Sequence, residues 1–242
     1  MGACPGECDH TMLSRYLKHP AGESGPVRAP TLRAGPLVLR PMELEDSGVL
    51  TVYFKDPELT HLLGLAGPRD DAFVPALIRA TAPDPAAVYV TITFEGRVVG
   101  YSFMDHIDLE HRHAVETGVL LGDRPLWGRS VGRAAFGMLL EHGIDSMGLH
   151  RASLAVLEEN VRAIRTYEAL GFRHEGRRRE ALILDTGPAD TLIMGLLGPE
   201  LNRVAIDEAV ERATGVSRTR GTPSARPGAV GGPLRRWGPG RP

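Results

Sequence analysis

Apolar and polar positions alternate most clearly in the middle of the chain. Residues 88–94 and 98–104 are rich in β-branched and aromatic side chains, and a short turn at residues 95–97 separates them. Two such stretches joined by a glycine-containing turn predict a β-hairpin. Residues 113–122 form the next predicted strand, so the three stretches together predict an antiparallel meander.

Beyond residue 122 the apolar spacing changes, and helical stretches alternate with strands. The spacing predicts helices at residues 131–147 and 160–170, with a strand at residues 151–157 between them. Two more strands are predicted at residues 172–185 and 189–197. This order of elements predicts an α/β or α+β fold. We expect a mixed, mostly antiparallel central sheet of about six or seven strands with helices on both faces.

Before the hairpin, the pattern predicts one strand followed by three helices. The strand is predicted at residues 37–42, and the first helix at residues 43–50. Asp56 is a good N-cap and Pro57 suits the first helical position, so the second helix should begin there. Residues 70–81 predict a third, weaker helix.

The length of 242 residues suits one domain with tails better than two compact domains. Residues 1–35 lack periodicity and predict a flexible tail, and residues 36–200 contain the folded domain. Residues 201–213 are compatible with one more helix. Residues 214–242 are rich in Arg, Gly and Pro, have no acidic residue and predict a disordered tail. A solvated tail is favoured over one that contacts nucleic acid.

Charge is nearly balanced, with 28 Lys and Arg against 30 Asp and Glu, which argues against a dedicated nucleic-acid binder. Cys4 and Cys8 are the two cysteines, and both lie in the N-terminal tail, which fits a reducing cytoplasm. With His10 they make three candidate metal ligands. No second cluster with zinc-site spacing accompanies them, so two free thiols and no metal are favoured. No apolar run reaches membrane-spanning length, and we expect no membrane partner.

Residues 127–133 follow a predicted strand and precede a predicted helix. Small side chains occupy every second position from residue 128 to residue 132, so backbone N–H groups there can approach an anion closely. The helix N-terminus adds partial positive charge, and Arg129 and Arg133 add fixed charge. These features indicate a pyrophosphate cradle, although an ordinary strand-to-helix turn can have the same pattern.

The helix predicted at residues 160–170 brings polar groups onto one face. Asn160, Ile164 and Tyr167 are spaced i, i+4 and i+7 and share that face, and Gly171 is placed to end the helix. One face therefore offers a polar contact at its start and a phenol two turns later. Taken alone, Tyr167 fits a core aromatic residue better than an acid.

Together, these two motifs resemble the GCN5-related N-acetyltransferase (GNAT) superfamily. Within it, they are most similar to the Rim-type branch, which acetylates ribosomal-protein N-termini, polyamines and some antibiotics. The family's acyl-CoA loop has the form (Gln/Arg)-x-x-Gly-x-(Gly/Ala). Here Trp127 takes its first position, Ser130 replaces the first glycine and Gly132 is the last residue. Ser130 is a departure at the tightest part of the loop.

The resemblance covers residues 36 to 198 approximately. The helix from Asn160 to Phe172 matches the family's second motif closely. Shorter matches occur elsewhere: Leu39-Arg40-Pro41, Asp56-Pro57-Glu58, Glu175-Gly176, Arg179-Glu180 and Asp190.

The resemblance implies an acetyl-CoA-dependent N-acetyltransferase that uses no metal. Acetyl-CoA would lie between the strands at residues 113–122 and 151–157. Tyr167 would protonate the departing thiolate, and Glu116 would remove the proton of the attacking amine. His111, His113 and Asp105 are alternative bases. The residues implied to bind the carrier are Val119, Leu120, Leu121, Trp127, Gly128, Arg129, Ser130, Val131, Gly132, Arg133, Asn160 and Ala163.

The acceptor predicted from the resemblance is a small-molecule or peptide primary amine. A protein N-terminus, a polyamine and an amino-antibiotic all remain open. Acidic residues between the first strand and the hairpin would suit a cationic amine: Glu43, Glu45, Asp46, Asp56, Glu58, Asp70 and Asp71. The alternative function is a non-catalytic acyl-CoA-binding or regulatory module with the same fold. The oligomeric state is not indicated.

Overall fold

The computed structural model describes residues 28–218, which contain one eight-stranded sheet and six α-helices. The predicted tail residues Cys4, Cys8 and His10 lie outside this range. The strands are β1 (Leu32–Ala34), β2 (Leu37–Pro41), β3 (Val88–Phe94), β4 (Arg97–Asp108), β5 (His113–Leu121), β6 (Arg151–Leu157), β7 (Arg173–Leu184) and β8 (Gly187–Leu197). The helices are α1 (Ser47–Lys55), α2 (Pro57–Leu62), α3 (Phe73–Thr81), α4 (Val131–Glu141), α5 (Val161–Leu170) and α6 (Arg203–Thr214).

The strand order is β1-β2-β3-β4-β5-β6-β8-β7, and the β5–β6 pair is parallel while the other pairs are antiparallel. The prediction of a mixed, mostly antiparallel sheet is therefore confirmed, and the strand count is slightly higher than predicted. The additional strand is β1. It lies within the predicted N-terminal tail, where three residues are too few to show a period, and it pairs with β2.

Several predicted boundaries shift in the structure. The predicted helix at residues 43–50 begins as a 3-10 turn at Leu44–Asp46, and α1 continues to Lys55. The predicted helix at residues 131–147 is α-helical only to Glu141, and a π-helical turn follows at His142–Ser146. Asp56 caps α2 as expected, because its Oδ1 accepts hydrogen bonds from the backbone N–H groups of Glu58 and Leu59.

Helices cover both faces of the sheet. One core packs α4, α5 and α6 against the sheet and contains Phe136, Leu170 and Ile206. The other packs α1, α2 and α3 around Phe54 and Tyr101. Helix α6 lies against α4 at Gly137, where a Cβ atom would come within 2.7 Å of Ile206.

Asp46 is a buried carboxylate that ties the start of α1 to the sheet. Its two oxygens accept hydrogen bonds from Arg40 at 2.5 and 2.8 Å and one from the Thr91 hydroxyl at 2.7 Å. Burial opposes the charged form, but the hydrogen bonds from Arg40, from the Glu43 backbone and from Thr91 outweigh it and lower the pKa of Asp46. The Arg40-Pro41 match to the family therefore has a structural role here.

We predict that Asp46→Asn lowers the free energy of unfolding by about 2 kcal/mol at pH 7, because it breaks the charged hydrogen bonds with Arg40. A group with a lowered folded-state pKa stabilises the fold above its unfolded pKa and loses that contribution as the pH falls. The difference in the free energy of unfolding between wild type and Asp46→Asn should therefore shrink below a pH of about 4. Urea unfolding at several pH values measures it.

Glu43→Gln is the matched control for this prediction. Glu43 is exposed and lies 3.7 Å from Arg40, so the change should alter stability by less than about 0.5 kcal/mol. Equal stability of Asp46→Asn and wild type across the pH range would contradict the role of Asp46.

Candidate active site

The parallel strands β5 and β6 separate soon after they begin. Their backbone pairing covers only His113 with Arg151 and Ala114 with Ala152. Side chains then span the widening gap: the Ser153 hydroxyl donates to the Val115 carbonyl at 2.7 Å, and the Thr117 hydroxyl donates to the Ser153 carbonyl at 3.1 Å. Beyond these bonds the two strands diverge and leave a wedge between them.

One edge of β5 directs its backbone groups into this wedge. The N–H of Gly122 donates to Val99 of β4 at 2.9 Å, whereas the carbonyl of Val115 accepts from β6. Backbone groups alternate between the two edges of a strand. The N–H groups of Val119 and Leu121 therefore point toward the wedge, and that of Leu120 points toward β4.

A cavity of about 820 Å³ fills the wedge and continues to both sides of it. Thirteen of the fourteen residues predicted to bind the carrier or to act in catalysis line this cavity, and Arg129 alone lies outside it. The predicted residues in the lining are Glu116, Val119, Leu120, Leu121, Trp127, Gly128, Ser130, Val131, Gly132, Arg133, Asn160, Ala163 and Tyr167.

The loop before α4 turns at two residues with left-handed backbone conformations. Gly128 and Ser130 both adopt left-handed backbone conformations, with φ of 76° and 65°. Ser130 is the N-cap residue of α4, and its hydroxyl lies 3.4 Å from Nη1 of Arg212 on α6. The serine that replaces the family's glycine therefore keeps a conformation that glycine adopts most easily.

Two arginines on this side of the cavity differ in their placement. Arg133 lies in the cavity lining, and its buried Nε has no hydrogen-bond partner among the residues that the structure describes. Arg129 is exposed and lies outside the lining. An unpartnered buried guanidinium N–H favours an anionic ligand at this place.

The indole of Trp127 holds the loop against β5. Its Nε1 donates to the Leu121 carbonyl at 2.8 Å, and the guanidinium of Arg162 stacks 3.7 Å from the ring centroid. Arg162 and Arg165 both line the cavity and were not predicted from the sequence. Their i, i+3 spacing on α5 could have identified them, because it places both on one face of the helix.

Asn160 has two structural partners. Its Oδ1 accepts from the N–H of Ala163 at 3.1 Å and caps α5, and its Nδ2 donates to the carbonyl of Leu62 at 3.1 Å. The side chain therefore joins the end of α2 to the start of α5, across the cavity that it lines. The contact of Asn160 with the carrier stays a prediction.

Tyr167 lies in the wall of the cavity formed by α5. Its ring packs edge-on against Phe136, with a centroid distance of 5.5 Å, and against Phe172 at 5.8 Å. Only 7% of the residue is exposed, and burial raises the pKa of Tyr167 to about 12. The phenol therefore retains its proton at neutral pH.

Glu116 is the single acidic residue among those that line the cavity within residues 28–218. The three alternative bases lie outside the lining. Asp105, opposite Glu116 in the β4–β5 register, accepts a hydrogen bond from the Tyr89 hydroxyl at 2.8 Å. His113 has its Nε2 2.9 Å from the Ser153 hydroxyl, and burial together with Arg151 lowers its pKa. His111 is exposed beside Asp108.

The described residues contain no group of three or more His, Cys, Asp or Glu side chains placed to hold a metal ion. Among the helices within residues 28–218, none is long and apolar enough to cross a membrane.

Comparison with known proteins identifies the family. A family model described as an acetyltransferase (GNAT) domain matches residues 36–173. An uncharacterized N-acetyltransferase, p20 of Bacillus licheniformis, is 31% identical over 163 residues, which span 62% of this chain and 86% of p20.

Two solved structures have the same fold. Spermidine N-acetyltransferase from Vibrio cholerae, in complex with CoA and spermine, matches with a TM-score of 0.63 and 20% identity over 68% of this chain and 97% of that chain. The microcin C7 self-immunity acetyltransferase, in complex with acetyl-CoA and AMP, has a TM-score of 0.59 and 19% identity over 69% and 97%. Since the family model spans more than half of the sequence, the chain belongs to the GNAT family of acetyltransferases.

Proposed function

We propose that this protein transfers an acetyl group from acetyl-CoA to a primary amine by direct attack in a ternary complex. The observation that supports this most strongly is the composition of the cavity at the β5–β6 wedge. Its lining combines the glycine-containing loop before α4, the protonated phenol of Tyr167 and the carboxylate of Glu116. An acyl transfer to an amine needs an anion cradle, an acid and a base in one place.

The lining suits an anionic acyl carrier. Arg133, Arg162 and Arg165 bring three positive charges to the side of the cavity that contains the loop before α4, and the buried Nε of Arg133 has no partner in the described part of the chain. The N-terminus of α4 adds partial positive charge beside them. Acetyl-CoA, when bound, supplies an acyl group activated as a thioester.

The backbone of β5 can polarise a carbonyl group. The N–H groups of Val119 and Leu121 point into the wedge, where β6 no longer pairs with them. Fixed backbone donors in a site that excludes water stabilise a developing oxyanion without reorganising.

Protons have a defined source and acceptor in this site. Glu116 can accept the proton of the amine, directly or through a water molecule, since an ammonium group is not a nucleophile. Tyr167 holds a proton on its hydroxyl at neutral pH and can donate it to the leaving group. The presence of Tyr167 and Glu116 in the same lining favours this enzymatic function over a non-catalytic acyl-CoA-binding module, because binding alone needs neither an acid nor a base.

Two finer points belong to the proposal. Membership of the Rim-type branch is supported by the motifs around Asn160–Phe172 and Asp56-Pro57-Glu58. A cytoplasmic location is supported by the absence of cysteine from residues 28–218.

Thiol release from acetyl-CoA, measured with a panel of N-terminal peptides, polyamines and amino-antibiotics, tests the proposal. We expect release with at least one class of amine, and acetyl-CoA binding by calorimetry. Binding of acetyl-CoA without transfer to any amine would favour the non-catalytic acyl-CoA-binding module. The absence of acetyl-CoA binding would contradict the acetyltransferase function and leave only a regulatory module.

We predict that Tyr167→Phe lowers kcat about 100-fold and leaves the affinity for acetyl-CoA unchanged, because the ring is kept and only the acidic proton is removed. Steady-state kinetics and calorimetry measure the two quantities. Tyr53→Phe is the control, since the Tyr53 hydroxyl bonds to the Val98 carbonyl away from the cavity lining. Equal turnover in Tyr167→Phe and wild type would exclude the acid role.

We predict that Arg133→Gln weakens acetyl-CoA binding about tenfold, because a buried charge-assisted contact to phosphate is lost. Arg129→Gln should have a smaller effect, since Arg129 is exposed and outside the lining. Calorimetric titration with acetyl-CoA compares the two variants. A larger loss of acetyl-CoA affinity in Arg129→Gln than in Arg133→Gln would contradict this prediction and indicate that the anion binds at the outer part of the loop.

We predict that Glu116→Gln lowers kcat about 100-fold at pH 7 and that the deficit narrows as the pH rises, because more of the amine is then already deprotonated. Rates measured between pH 7 and a pH of about 10 test this, the upper limit following the ordinary pKa of an alkylamine. Asp105→Asn should leave turnover nearly unchanged. A larger loss of kcat in Asp105→Asn than in Glu116→Gln would contradict this prediction and identify Asp105 as the base.

A further inference from the structure

Most of the acidic residues that could attract a polycationic amine have other partners in the structure. Asp46 is bound by Arg40 and Thr91 in the interior. Asp56 caps α2 and accepts two hydrogen bonds from Arg124, at 2.7 and 2.9 Å. Within residues 28–218, none of the acidic residues at positions 43–71 lines the cavity. Glu116 is therefore the one acidic side chain in the lining of the described chain.

The part of the cavity away from the cradle has mostly apolar walls, and we call it the acceptor end. It is bounded by α2 and the residues after it, by β4 and by β7. Gly64 comes so close to β7 that a Cβ atom there would lie 2.8 Å from Leu182, so the two walls meet. The apolar residues of the acceptor end are Leu59, Leu62, Leu63, Phe103, Ala181 and Leu182.

One positive charge also belongs to the acceptor end. Arg178 of β7 lines the cavity and lies in one register row with Thr191 of β8 and Leu157 of β6. Its neighbour Arg177 is bound to Glu158 and Asp190, at 2.7 and 2.6 Å. No hydrogen bond or ion pair engages Arg178 within residues 28–218, which leaves its five N–H groups available to a ligand.

Arg178 is poorly placed to serve the carrier phosphates. Strands β8 and β6 lie between β7 and β5, and the cradle follows the end of β5. Three other arginines already line the cavity near the cradle: Arg133, Arg162 and Arg165. The charge of Arg178 is therefore available to the acceptor.

We propose that the acceptor is a monoamine with an apolar body and one anionic group, such as a carboxylate, and is not a polyamine. The inference rests on the proposed function. Glu116 meets the amine, the leucine-rich walls bury the apolar body and Arg178 pairs with the anion. A polyamine would need several carboxylates at matching intervals, and the lining offers one.

Peptides that begin with Leu and differ only at the C-terminus test this inference. The acceptors are Leu-Gly, Leu-Gly-Gly and Leu-Gly-Gly-Gly with free carboxylates, the same three peptides as C-terminal amides, and spermidine. For the best length, kcat/KM of the acid should exceed that of the amide at least tenfold, or about 1.4 kcal/mol. The acids should also exceed spermidine, and a Gly-initiated peptide should be slower than its Leu counterpart.

Arg178→Gln should lower kcat/KM with the acid at least tenfold and thereby remove the preference for the acid over the amide. Arg179→Gln is the matched control, because Arg179 is an exposed arginine of the same strand outside the lining. It should keep the preference. Circular dichroism and thermal unfolding confirm that both variants are folded.

Acids that react no faster than amides, or spermidine as the best acceptor, would overturn the inference. So would an acid preference that survives Arg178→Gln. Calorimetry with acetyl-CoA on the same samples separates this failure from failure of the proposed function. Retained binding with transfer to spermidine would leave the acetyltransferase function intact, whereas loss of acetyl-CoA binding would contradict that function itself.

Discussion

The separation of β5 from β6 is the constraint on which the rest of the site depends. Parallel strands normally satisfy their backbone groups along their whole length, but here the ladder ends after Ala114 and Ala152. Unpaired backbone groups are costly when they are buried without a partner. Ser153 and Thr117 satisfy the first of them with side-chain hydrogen bonds, and a ligand in the wedge can satisfy those that follow.

The wedge also decides where proton chemistry can occur. Tyr167 is buried because α5 must cover the open side of the wedge, and the same burial raises the pKa of its hydroxyl. Glu116 lies on β5 before the widest part of the gap and stays exposed to the cavity. One strand separation thus brings a protonated phenol, the proposed acid, and an exposed carboxylate, the proposed base, into the lining of one cavity.

Local sequence patterns predicted most helices and strands well, but they could not predict contacts between residues that are far apart in sequence. The hairpin of β3 and β4 and the start of α2 at Pro57 follow from turn and capping chemistry within a few residues. The second bond of Asn160, to Leu62, depends on a fold that brings together residues far apart in sequence. The individual residues of the acceptor end could not be identified for the same reason, since Arg178 and Leu63, far apart in sequence, line one cavity only in the folded chain.

Helix α6, which lies beyond residues 36–173, gives a physical reason why serine can replace the family's glycine at position 130. A left-handed conformation costs a residue with a Cβ atom roughly 1–2 kcal/mol, and glycine avoids that cost. Gly137 lets α6 pack closely on α4, and this packing brings Arg212 to the Ser130 hydroxyl. The serine thereby gains a hydrogen-bond partner that glycine could not have, and the additional helix becomes part of the support of the cradle.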